Sequence, residues 1–192
     1  MTSPSTIPVS LALRARADGD RLLVDYEARN DGGVTVFGYD GAPGDAGEEY
    51  PDLSAHLGLF VRWVKPATVS IRRILGAPPP GRKVTKVVVP ALSRLEPGQV
   101  RSVRFRLPLP LAEKSQFSPR YIGADRETRE TSTLQLVVGY MVLPAGSTAE
   151  PFPANPAAWK VRGPHGPQVL ATASFSIALR VRVRTDAAFY CP

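Results

Sequence analysis

VSLALRARADGDRLLVDYEARN, residues 9 to 30, is the stretch that decides the fold. Apolar side chains occupy odd positions from Val9 to Ala17 and even positions after the dipeptide Asp18-Gly19, so each half alternates like a β-strand. Asp18-Gly19 is typical of a two-residue type I′ hairpin turn, which would bring all the apolar side chains onto one face. The predicted register sets Ala17 opposite Asp20, Ala15 opposite Leu22, Leu13 opposite Val24 and Leu11 opposite Tyr26.

The same alternation recurs along the chain, whereas no segment repeats convincingly with the period of a helix. The 20 prolines and 16 glycines separate the alternating runs as turns. Further strands are predicted at about residues 33–39, 57–64, 68–75, 84–90, 99–107, 133–143 and 168–184. Residues 134–143 are apolar on both faces, which indicates a central strand that is covered on each side.

We therefore expect an all-β protein, an immunoglobulin-like antiparallel β-sandwich of about 8–9 strands. The length favours a single domain over residues 1–192, with flexible tails at 1–7 and 187–192.

A Pro-Gly corner precedes one of the predicted strands. Residues 95–100, LEPGQV, lead into the strand at 99–107, and residues 30–33, NDGG, end an earlier one. Across about residues 8–110 these corners resemble those of bacterial immunoglobulin-like domains. Similar corners occur in intracellular protease inhibitors of the BsuPI type and in periplasmic pilus chaperones, so the resemblance implies the sandwich fold and leaves the family open.

Charge is unevenly distributed along the chain. Residues 1–55 carry four basic and ten acidic side chains, residues 56–124 carry thirteen and two, and residues 125–192 carry seven and five. The local balances of −6, +11 and +2 add up to the net charge of +7. A basic middle can mark a polyanionic partner. Alternatively, strands from the acidic and basic regions lie side by side and neutralise each other.

Catalytic and metal-binding motifs are missing from the sequence. His56 and His165 each stand alone without metal-ligand spacing, and Cys191, the only cysteine, lies one residue from the end. There is no G-x-S-x-G motif. We therefore expect a protein that is not an enzyme and that uses no metal or other cofactor.

The localisation is inferred from what the chain lacks. Residues 1–8 contain no signal-peptide pattern, and no apolar run approaches the ~18 residues of a membrane span. We expect a cytoplasmic protein that does not bind membranes.

Two connections, residues 108–132 and 144–167, exceed the ~15 residues usual for unstructured loops in compact domains. They contain aromatic and arginine side chains, the usual anchors of protein interfaces. The candidate binding residues are Phe117, Arg120, Tyr121, Phe152, Trp159 and Arg162. The first hypothesis is a binding module that contacts a protein partner through these loops, with a protease-inhibitor-like domain as a narrower version.

Arginines also recur at every second position of two predicted strands. Arg104 and Arg106 occupy one strand, with Arg101 just before them, and Arg180, Arg182 and Arg184 occupy the last strand. If the strands are neighbours, these side chains form a stripe able to bind phosphate or carboxylate groups. The alternative is a solvated outer face. A carbohydrate- or polyanion-binding module is therefore the second hypothesis.

Overall fold

The computed structural model describes residues 9–41, 49, 51–53, 58–64, 66–76, 91–114, 126–153 and 155–185. This part of the chain is built of strands and turns, and it contains no helix that could cross a membrane. Its twelve strands are β1 (Val9–Asp18), β2 (Arg21–Asn30), β3 (Val36–Gly38), β4 (Leu59–Val64), β5 (Thr68–Arg73), β6 (Ser93–Leu95), β7 (Val100–Pro108), β8 (Leu111–Ala112), β9 (Arg126–Met141), β10 (Thr148–Phe152), β11 (Asn155–Arg162) and β12 (Val169–Arg184).

Two sheets pack face to face. The smaller sheet has the order β1-β2-β7, and the larger has the order β4-β5-β9-β12-β8, with β3 paired to both β9 and β6. β1 lies against β12, and apolar side chains from both sheets form the core between them. The predicted all-β sandwich is confirmed. Most strand pairs are antiparallel, but β5 runs parallel to β9 and β8 runs parallel to β12, so the larger sheet is mixed.

The first hairpin forms, but in a different register. Ala17 lies opposite Leu22, so the predicted pairing with Asp20 was wrong by two residues. The turn residues are Gly19 and Asp20, and Gly19 alone has a positive φ, of 57°. This is the type II′ pattern, not the type I′ turn that Asp18-Gly19 indicated. Because a shift of two residues keeps every side chain on its face, the apolar set still points into the core.

Both predicted long connections contain strands. β8 and the start of β9 fall within 108–132, and β10 and β11 make 144–167 a β-hairpin, so the expected long loop there was wrong. Three prolines, at positions 151, 153 and 156, hide the alternation of this hairpin. The predicted strand at 84–90, residues 115–125 and the tails at 1–7 and 187–192 lie outside the described residues.

Residues 111–114 connect the two edges of the larger sheet. β8 pairs with β12, and two residues later Lys114 exchanges two backbone hydrogen bonds, each of 3.0 Å, with Val61 of β4. Between them the Glu113 carboxylate accepts hydrogen bonds from the backbone N–H groups of Trp63 and Arg184, both at 2.8 Å. One side chain therefore holds β4 and β12 together.

A second, smaller core lies on the outer face of the larger sheet. Its buried members are Phe37, Tyr39, Leu92 and Met141. The β10–β11 hairpin joins this core through Trp159, whose backbone exchanges hydrogen bonds of 2.9 and 2.7 Å with Leu92. The hairpin is therefore anchored to the sandwich.

Candidate functional site

Four arginines cluster where the outer faces of β9 and β12 meet. We call Arg126, Arg180, Arg182 and Arg184 the cationic ribbon. The strand register sets Arg180 opposite Glu130, Arg182 opposite Thr128 and Arg184 opposite Arg126. Among these register partners, Glu130 is the single acidic residue, and the other two are neutral or basic.

The alternation of β12 places these side chains outside. Leu179, Val181 and Val183 are buried in the core, so the intervening arginines point to the opposite face. Arg180 and Arg182 are exposed there. Same-face residues of a strand are ~6.6 Å apart, so the three arginines of β12 extend over ~13 Å.

The ribbon is electrostatically unbalanced. Arg126, Arg180 and Arg182 form no ion pair within the part of the chain that the structure describes. Like charges directly opposite each other destabilise a strand pair, and Arg126 and Arg184 are such a pair.

The other predicted arginine row lies elsewhere, because β7 and β12 belong to different sheets. The two rows therefore form no common stripe. Arg104 makes ion pairs with Asp25 and Glu49, both at 3.1 Å. Arg106 lies at the edge of β7 that pairs with residues 51–53. At the Arg104 ion pairs, carboxylates of the acidic first region neutralise a charge of the basic middle, as the second interpretation of the charge distribution predicts.

The loop candidates are divided between two regions. Phe117, Arg120 and Tyr121 fall in residues 115–125, which the structure does not describe. Phe152, Trp159 and Arg162 belong to the β10–β11 hairpin.

Contacts within the protein engage the hairpin candidates. Trp159 packs edge-to-face on Phe37 at a ring-centroid distance of 6.1 Å, and the Arg94 guanidinium lies 4.9 Å from the Trp159 ring centroid. Arg162 forms an ion pair of 2.6 Å with Glu150. Trp159 thus joins the hairpin to the small core, which is a structural role.

A buried charged cluster lies inside the sandwich, and the sequence did not reveal it. The Asp40 carboxylate, only 1% exposed, accepts hydrogen bonds from the hydroxyls of Tyr26, at 2.5 Å, and Ser93. It also pairs with Arg101 at 3.0 Å. These residues come from β2, from β6, from β7 and from the turn after β3, so the cluster connects both sheets.

Arg73, at the end of β5, belongs to the same cluster and is 0% exposed. All three of its guanidinium nitrogens are buried without a hydrogen-bond partner among the described residues, and so is the hydroxyl of Tyr140. Each such donor is costly, because it has lost water and gained nothing in return.

The charges of the cluster set its protonation states. Burial alone would raise the pKa of Asp40, but the positive charges of Arg101 and Arg73 hold that pKa below its usual value. Burial and the Asp40 charge both raise the pKa values of Tyr26 and Tyr140. At neutral pH the cluster therefore contains an ionised carboxylate and two neutral hydroxyl donors.

No protein family, curated protein or solved structure matches this chain. Within the described ranges, no group of three or more His, Cys, Asp and Glu side chains is placed to hold a metal ion.

Proposed function

We propose that this protein is a non-enzymatic binding domain that recognises a polymer of phosphate or sulfate groups through the cationic ribbon. The observation that supports it is the row of three arginines at alternate positions of β12, with Arg126 beside it on β9. Guanidinium groups bind phosphate and sulfate oxygens in a planar, two-pronged geometry, which makes arginine better suited to this task than lysine.

The surroundings of the ribbon favour contact with the backbone of a polymer. Ser174, Ser176 and Ala178 continue the exposed face of β12, and none offers an aromatic ring on which a base could stack. A ligand held here would be bound by its charges and not by its sequence.

The first hypothesis, protein contact through the long loops, has less support. In the hairpin that replaces the loop at 144–167, the Trp159 ring packs on Phe37. An interface anchor would instead have its side chain available to a partner.

The test is a binding titration of the full chain against a labelled single-stranded oligonucleotide, followed by fluorescence anisotropy, with heparin as competitor. If three to four arginines each contact one phosphate, the logarithm of the affinity should fall with the logarithm of the salt concentration with a slope of about −2 to −3. Displacement by heparin at lower concentration would identify a sulfated polymer as the better ligand.

Two double variants with the same change in net charge distinguish the effect of the ribbon on binding from the effect of the overall charge. Arg180→Gln with Arg182→Gln removes two arginines of the ribbon, whereas Arg14→Gln with Arg16→Gln removes two exposed arginines from alternate positions of β1. We expect the slope to become shallower by about 1 to 1.5 only in the first variant. Equal losses in both would contradict the proposal. So would tighter binding of polyglutamate than of either polymer, because it would indicate an acidic protein partner.

A further inference from the structure

We propose that the interior of the sandwich contains a binding site for a small monovalent anion, of the size of chloride, formed by Arg73, Tyr140 and Arg101. The site is separate from the cationic ribbon, and nothing in the proposed function requires it.

The first reason is charge. Arg73 and Arg101 bring two positive charges into the interior, and Asp40 supplies one negative charge, which leaves a balance of +1. An unpaired charge in a protein interior is strongly unfavourable, and proteins normally pair it with a counter-ion. Among the described residues, no second carboxylate reaches the cluster.

The second reason is the direction of the missing hydrogen bonds. Arg73 and Tyr140 both have donors to offer, and an arginine side chain accepts no hydrogen bonds. Asp40 already accepts hydrogen bonds from Tyr26 and Ser93 and forms an ion pair with Arg101. A water molecule could accept two of the unused hydrogens but would bring no charge. An anion satisfies the donors and the charge together.

The third reason is placement. Arg73 of β5 lies opposite Val138 of β9, and Tyr140 lies two residues beyond Val138 on β9. The side chains of Arg73 and Tyr140 therefore point to the same side of the sheet. The Tyr140 ring is tightly packed, since a Cβ added to Gly38 would lie only 2.7 Å from its Cε1. Arg101 is 25% exposed while Arg73 is fully buried, so the cluster reaches the surface beside Arg101. A compact ion fits these limits better than an organic acid.

The experiment measures the melting temperature of the full chain while sodium chloride replaces sodium gluconate at constant ionic strength. A ligand that binds only the folded state raises the melting temperature in a concentration-dependent way. We expect the melting temperature to rise with chloride, and sodium bromide to have the same effect. A wild-type protein that does not respond to either halide would overturn the proposal.

Two variants locate the site. Tyr140→Phe removes one donor with little change in shape, and it should raise the chloride concentration at half effect about tenfold, the factor expected for losing a hydrogen bond to a charged group. Arg73→Met should abolish the chloride effect, whereas Arg180→Gln on the surface should retain it. A full chloride effect in Tyr140→Phe would disprove the site even if Arg73→Met failed to fold.

A crystal soaked in sodium bromide gives an independent readout. Anomalous scattering should show bromide within hydrogen-bonding distance of the Arg73 guanidinium. Ordered water alone at these nitrogens, without bromide, would contradict the proposal.

Discussion

Tyr26 donates its hydroxyl hydrogen to the Asp40 carboxylate at 2.5 Å, in the interior between the two sheets. Tyr26 belongs to β2 of the smaller sheet, whereas Asp40 follows β3, which is paired with the larger sheet. The hydrogen bond therefore connects the layers of the sandwich by a polar contact, and it is strongest while Asp40 is ionised.

Replacing Asp40 by asparagine should strongly destabilise the protein. The amide has nearly the same size, but it no longer compensates Arg101 and Arg73, and breaking a buried ion pair in this way costs about 3–5 kcal/mol. The matched control is Asp25→Asn, because Asp25 pairs with Arg104 at a partly exposed site and should contribute at most about 1 kcal/mol. Urea unfolding measures both free energies. Similar losses of unfolding free energy in the two variants would show that the buried ion pair contributes no more stability than the partly exposed one.

Lowering the pH should remove the stability that the Asp40 carboxylate contributes. The pKa of Asp40 is lower in the folded protein than its usual value, so at acidic pH the unfolded chain binds the proton more readily. The stability that Asp40 contributes is therefore complete above pH ~4 and is lost progressively as the pH falls below it. We expect the difference in unfolding free energy between the wild type and Asp40→Asn to shrink over this range. Urea midpoints between about pH 6 and 2 measure it, and a constant difference would contradict the assignment.

The alternation of apolar residues predicted most of the strands, because burial of one face imposes that period. The central strand β9 was predicted instead from a continuous apolar run, because both of its faces are buried. Its failures have physical causes. The register of the first hairpin depended on the φ of Gly19, which composition does not reveal, and prolines concealed β10 and β11.

The buried cluster was missed for a different reason. Arg101 lies on the same face of its strand as Val103 and Phe105, so the alternation places its side chain in the interior. A charged residue is normally expected outside. Only tertiary contacts bring Arg101, Arg73 and Asp40 together. By contrast, the arginines of β12 were placed correctly on an outer face, since their positions alternate with buried residues.

Glu113 should stabilise the closure of the larger sheet. Glutamine at this position keeps one carbonyl oxygen, so only one of the N–H groups of Trp63 and Arg184 retains its acceptor. We expect Glu113→Gln to lower the unfolding free energy by about 1–3 kcal/mol and to accelerate amide exchange at the group that loses its acceptor. Glu27→Gln, at an exposed position of β2, should change the free energy by less than about 0.5 kcal/mol. Unchanged exchange at both amides would refute the role of Glu113.

Trp159 should behave as a core residue and not as a ligand anchor. Truncation to alanine removes its packing on Phe37, and we expect a loss of about 3 kcal/mol with faster amide exchange in β10 and β11. The control Phe152→Ala, near the end of the same hairpin, should have a smaller effect because Phe152, unlike Trp159, is not among the residues that pack on the small core. If Trp159→Ala retained full stability but lost affinity for a ligand, the interface hypothesis would be restored.

The buried cluster should require glycine at position 38. A Cβ at this position would lie 2.6 Å from Oδ1 of Asp40 and 2.8 Å from Oγ of Ser93, closer than real Cβ atoms approach. Gly38→Ala must therefore displace Asp40 or the strand, and we expect a loss of about 1–3 kcal/mol in the unfolding free energy. Gly33→Ala is the control, because a Cβ there would meet nothing within 4 Å and the glycine has no positive φ. It should be neutral or slightly stabilising, since alanine restricts the unfolded chain. Equal stabilities of the two alanine variants would show that the cluster tolerates a displacement of Asp40.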